Sequence, residues 1–155
     1  VIKQEIVIPG LSLQYAAPKD ISKKLNTCLK SFNDIDWKSM PLDKIVPLFT
    51  SKLVELWSIH PFRDGNTRTT ITFARQFSKE HGFPMNLGCL LDQLPRKFDG
   101  DRIIQHSIRD KFVLAAIPKE HSPEPWHLER LIHQSIDINK NKTDLQNQLR
   151  THEDR

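Results

Sequence analysis

The sequence predicts a mostly α domain, and three observations carry that prediction. Apolar residues recur at helical spacing through several long stretches. Only five glycines and one tyrosine occur in 155 residues. Strand-like alternation is confined to the start of the chain. This length suits one domain with its own buried core. The net charge of +4 comes from basic residues interleaved with acidic ones, the pattern of a solvated surface and not of a nucleic-acid tract. No apolar run approaches the roughly 20 residues of a membrane span. No basic stretch followed by an apolar run opens the chain, so no secretory signal is read, although the first residue is Val1 and not methionine. The expectation is a cytoplasmic chain with neither nucleic acid nor membrane as partner. Cys28 and Cys89 read as reduced, half-buried packing residues.

The elements follow in order. Val1–Ile8 is rich in β-branched residues and stops at Pro9-Gly10, which suggests a short strand or extended arm. Leu11, Leu13 and Tyr15 alternate with polar neighbours, a half-exposed strand that Pro18 ends. Asp20 is placed to cap a helix whose stripe is Ile21, Leu25, Cys28, Leu29 and Phe32. A second helix is expected over Leu42–Ile59, with Pro47 as its awkward residue because proline lacks the amide donor. A third runs from Thr67 to His81 and stops at Gly82. Further helices are expected around 87–95, 100–117 and 124–139, with a polar tail, frayed or solvated, over Lys140–Arg155.

The stretch between the second and third helices, Ile59 to Thr70, reads IHPFRDGNTRTT. Pro61 biases His60 away from helical angles, so the second helix ends at Ile59. Asp64, Gly65, Asn66 and Thr67 are turn and cap residues, so the third begins no earlier than Gly65-Asn66. A tight loop therefore opens onto a helix N-terminus, whose free N–H groups and dipole form an anion cradle. Gly65 lets a ligand approach the backbone closely. Arg68 beside the positive end of a helix dipole makes sense if an anion sits there. Asp64 is a hard oxygen ligand suited to Mg²⁺, and His60 can take a proton near neutral pH. Phe62 is expected to point into the core and anchor the loop.

His60-Pro61-Phe62-Arg63-Asp64-Gly65-Asn66-Thr67-Arg68 resembles the signature of Fic (Fido) domains, H-x-F-x-[D/E]-G-N-G-R, often followed by x-x-R. The resemblance implies a Fic-type helical domain with a short β-hairpin flap, whose trailing edge would be Leu11–Ala16. It implies one domain over 1–155, with a core at about 11–117 and C-terminal helices and tail over 118–155. It also implies a bacterial adenylyltransferase that moves AMP from ATP to a Tyr, Ser or Thr hydroxyl of a target protein. His60 would be the base, and Asp64 would hold Mg²⁺. Gly65, Asn66, Thr67 and Arg68 would contact the nucleotide's phosphates. The flap would hold the target by strand addition.

Two positions depart from the family pattern: Thr67 replaces a glycine, and Ile71 replaces the second arginine, which grips the γ-phosphate. Arg75 lies about 10 Å beyond Arg68 along the helix and substitutes poorly. The Doc branch, which also differs at the glycine, transfers the γ-phosphate instead; that is the alternative reading, with a degenerate nucleotide-binding module as a third. Neither Ser135-x-x-x-Asn139 nor Thr143-x-x-x-Asn147 supplies the glutamate of the family's inhibitory helix, which places such a regulator upstream of Val1 or on another chain, as an antitoxin.

Elsewhere the ordinary readings prevail. The spacing of His127 and His133 does not put both rings on one helical face, which disfavours zinc. Trp37, Trp57 and Trp126 read as core or cap packing. Ile108, Phe112, Ala115 and Ala116 form a core stripe, and Arg102 and Arg109 read as solvated or paired charges.

Overall fold

The computed structural model describes residues 16–59, 65–92 and 95–153. The expected strands over Val1–Ile8 and Leu11–Tyr15 lie outside them. The described residues form six α-helices: α1 (Ile21–Asn33), α2 (Leu42–Ile59), α3 (Asn66–Glu80), α4 (Leu87–Asp92), α5 (Ile108–Ala115) and α6 (Trp126–Glu153). Between α4 and α5 stand two short strands, β1 (Lys97–Asp99) and β2 (Arg102–Gln105). The fold is mostly α, as the apolar spacing requires.

α1 and α2 keep the expected bounds. The lead-in to α1 differs in one respect: a 3₁₀ turn over Pro18–Asp20 runs into the helix, and the Asp20 side chain makes no capping bond. Pro47 sits inside α2 on its exposed side. The amide it lacks would have met the carbonyl of Asp43, a residue that is also exposed, so that carbonyl is open to solvent and the helix continues.

The core is dominated by aromatic rings from three helices and the segments that follow them. Phe32 of α1, Phe49 of α2 and Phe77 of α3 meet edge-on or stacked, with centroids 5.2 to 6.1 Å apart. Trp37 and Phe83 close the cluster against Phe49 at 5.5 and 5.0 Å. Each such pair contributes about 0.5–1.5 kcal/mol beyond its burial. The Trp37 indole N–H is satisfied by the Phe32 carbonyl at 2.7 Å. α3 ends where Gly82, at φ 87°, allows the Phe83 amide to turn back to the Ser78 carbonyl at 3.0 Å. α6 then clasps the segment after α3, since the Asn86 amide donates to the Ser135 carbonyl at 3.1 Å.

Two expected bounds are corrected, and one alternative is decided. Residues 100–107 are not helical, because Gly100 at φ 60° turns the chain between β1 and β2, and α5 begins only at Ile108. There Ser107 and Asp110 form a reciprocal capping box that fixes the start. α4 stops at Asp92. α6 continues past 139 to Glu153, the solvated alternative for the tail. Trp126, the first residue of α6, is half exposed, whereas Trp37 and Trp57 are buried. Both cysteines are free; Cys28 is fully buried and Cys89 is half-buried.

Candidate active site

The site lies where α2 hands over to α3. His60, Pro61, Phe62, Arg63 and Asp64 lie outside the described residues, so the geometry concerns the two ends of the crossing. On one side Ile59, the last residue of α2, is buried. On the other, Gly65 caps α3 at φ 78° and ψ 16°, in the left-handed region. A Cβ built on Gly65 would meet nothing within 4 Å, so the glycine answers a backbone requirement and leaves open space above it. Its carbonyl accepts the Thr69 amide at 2.9 Å, the first turn of α3.

Asn66 is the first helical residue and not the cap, as the sequence had suggested it could be; it is buried. Its carbonyl accepts the Thr70 hydroxyl at 2.8 Å. Thr67 is tied sideways: the Trp57 indole N–H donates to its Oγ1 at 3.0 Å. Trp57 in turn stacks on Phe112 of α5, with centroids 5.6 Å apart. The Thr67 hydroxyl acts here as an acceptor, which leaves its own proton available for donation. Nothing in the sequence marks this pairing, because the two residues sit on different helices across the loop.

Arg68 is exposed and borders a shallow depression with Thr69, Thr72, Phe73 and Gln76. No acidic side chain occupies the first turn of α3, so the positive end of its dipole is uncompensated from within the helix. Ile71 packs half-buried against the core. Arg75, a turn further on, is half-buried, and its Nε has no hydrogen-bond partner among the described residues. Behind Asn66, an apolar cavity of about 200 Å³ opens between α1, α2 and α3, lined by Leu25, Leu29, Leu56 and Phe73. The described half of the site therefore offers N–H groups, a guanidinium and a hydroxyl, the donor set of an anion site.

Residues 3–78 match the family model described as Fic/DOC family. Residues 3–78 are thus a Fic/DOC-family segment. Members are generally transferases that act on protein targets, and their domains are helical, as this one is. The Fic/DOC segment reaches from the start of the chain to Ser78 near the end of α3, and so contains every residue of the crossing. The hairpin, α5 and α6 lie beyond it. Comparison with curated proteins and with solved structures gives no match. Among the described residues there is no helix long and apolar enough to span a membrane, and no cluster of three metal-ligating side chains.

Proposed function

We propose that the chain is a Fic-type protein adenylyltransferase, acting in the cytoplasm. One observation supports this above the others: the N-terminus of α3, with open space beside Gly65 and the exposed Arg68 in its first turn, directly follows the segment that holds His60 and Asp64. His60 takes the proton from a Tyr, Ser or Thr hydroxyl of the target protein. The freed oxygen attacks the α-phosphorus of ATP, the bond from that phosphorus to the α–β bridging oxygen breaks, and pyrophosphate leaves. The amides of Asn66 and Thr67 and the Arg68 guanidinium bear on the negative charge of the phosphates. General-base assistance of this kind contributes typically ~10²–10⁴-fold.

Asp64 is the one carboxylate of the crossing, and a single carboxylate suits Mg²⁺ that shares the rest of its shell with phosphate oxygens and water. The ion would supply charge neutralisation there. The segment Leu11–Ala16 would receive the target by strand addition, and regulation would fall to an upstream helix or an antitoxin chain.

A second reading is favoured by Thr67 and Ile71. With Thr67 bonded to Trp57 and Ile71 packed on the core, the arginine contact to the γ-phosphate is missing, and a reversed nucleotide would deliver the γ-phosphate instead. Incubation with cell lysate and ATP labelled at the α- or the γ-phosphate separates the two. Label arriving from the α-position alone supports adenylylation, and label from the γ-position alone supports phosphotransfer. ATP binding with no transfer identifies a degenerate nucleotide-binding module. His60→Ala abolishes transfer of either kind, and persistence of the signal in that variant overturns the mechanism.

A further inference from the structure

The hairpin of β1 and β2 lies outside the Fic/DOC segment and takes no part in the reaction proposed above. Among the described residues it is a two-stranded sheet with no further strand beside it, and all three residues of β1 are exposed. Phe98 is 53% and Ile104 61% exposed, an apolar content that a solvated ribbon does not require. The register pairs Asp99 with Arg102, Phe98 with Ile103 and Lys97 with Gln105, so Ile104 is an extra residue bulged out of β2. The bulge interrupts the outer edge of β2; the outer edge of β1 alternates regularly.

We infer that β1 pairs with β1 of a second copy of the chain, antiparallel and about a two-fold axis at Phe98. The residue pattern is self-complementary in that arrangement alone. A two-residue hairpin closes on a hydrogen-bonded pair, here Asp99 and Arg102, so alternation turns the N–H and C=O of Phe98 outward. Across the axis those two groups exchange bonds with their symmetry mates. Lys97 then stands opposite Asp99 of the second copy, and Asp99 opposite its Lys97. Among the described residues neither side chain has an ion-pair partner within its own chain. On one face, each four-stranded row reads Arg102, Asp99, Lys97, Gln105, with charges alternating across the junction. On the other, Ile103 and Phe98 of one copy meet Phe98 and Ile103 of the other. The interface is isologous, as a two-fold dimer demands. It is also small, so assembly depends on concentration.

Sedimentation equilibrium on the full chain over a concentration series tests this. The wild type is expected to show a monomer–dimer equilibrium. Lys97→Asp places two acids opposite one another, and Asp99→Lys two bases; each variant alone weakens dimerisation by about tenfold or more. An equimolar mixture of the two restores it, because the heterodimer brings opposite charges together at both contacts. Lys97→Gln, which removes attraction without adding repulsion, is expected to fall between. A wild type that stays monomeric throughout, a single variant that dimerises like the wild type, or a mixture no more dimeric than its parts overturns the inference. The first of these outcomes would assign the edge to a foreign strand.

Discussion

Trp57, near the end of α2, donates its indole N–H to the Oγ1 of Thr67, in the first turn of α3, at 3.0 Å. The bond ties together the two helices that bracket the motif, at the position where the family pattern has glycine. Thr67→Val keeps the branched shape and removes the acceptor. It is expected to lower stability by about 1 kcal/mol, read from urea denaturation, while Thr67→Ser stays within a few tenths of the wild type, about the scatter of such measurements.

Gly65 carries a purely conformational demand. Its φ of 78° disfavours a side chain, yet a Cβ there meets nothing within 4 Å. Gly65→Ala should therefore cost about 1–2 kcal/mol through backbone strain alone. Gly65→Asn should cost less, since asparagine tolerates the left-handed region. Equal losses for the two variants would show that a contact, and not the backbone, sets the requirement.

The Arg96–Asp110 pair is expected to dominate acid sensitivity. Asp110 is 1% exposed at the side chain and takes two bonds from the guanidinium, at 2.6 and 2.7 Å. Burial pushes its carboxyl up, but the Arg96 bonds and those with Ser107 prevail and hold it below the usual carboxylate range. A carboxyl depressed in the folded state stabilises above its unfolded pKa, and that contribution is lost as pH falls through the folded value. Asp110→Ala leaves Arg96 without its acid and removes the capping box, so about 3–5 kcal/mol should be lost at neutral pH. The variant should also show a flatter stability profile in acid.

His106 titrates in a gentler range. Burial, then the neighbouring His127 ring at 5.0 Å, pushes its pKa below 6.5, against the opposing pull of Asp110 and Glu124; Lys111 adds to the lowering. Folding thus favours the neutral ring. Its contribution is complete above the unfolded value and shrinks as pH falls below it. The melting temperature should drop between pH 7.5 and about 5.5, and by less in His106→Gln.

The two thiols should separate by reactivity. Burial, aided by the charge of Glu55, pushes the Cys28 thiol up to about 11. Cys89 is half-buried, and burial first and the charge of Asp92 second push its thiol up as well. A thiol reagent at pH 8 should label Cys89 in the native chain and reach Cys28 only on unfolding, because the thiolate is the reacting form. Mass spectrometry of the labelled peptides checks it.

The long helices were legible because their apolar stripes are long. Ile21 to Phe32 and Ile45 to Trp57 repeat over several turns, and Pro18 and Pro61 lie close to the start of α1 and the end of α2. The hairpin was not legible as such, because Ile103, Ile104 and Ile108 mimic a helical period that runs on into Phe112. The Asp99-Gly100 pair was the competing signal, and local turn chemistry prevailed there over apparent periodicity. At the site, the motif pointed to Gly65 and Arg68 through spacing alone. The Trp57–Thr67 bond had no local signature, since it depends on how α2 and α3 pack.

The ring cluster of Phe32, Phe49 and Phe77 has a practical bearing on any study of catalysis here. It clamps α2 to α3 well away from the crossing they bracket, and α1 to both. The two helices that flank residues 60–64 are thus held to one another by rings that lie outside the motif. Substitutions within the motif leave these rings in place, and an unfolding curve measured beside each activity assay separates lost chemistry from a lost fold.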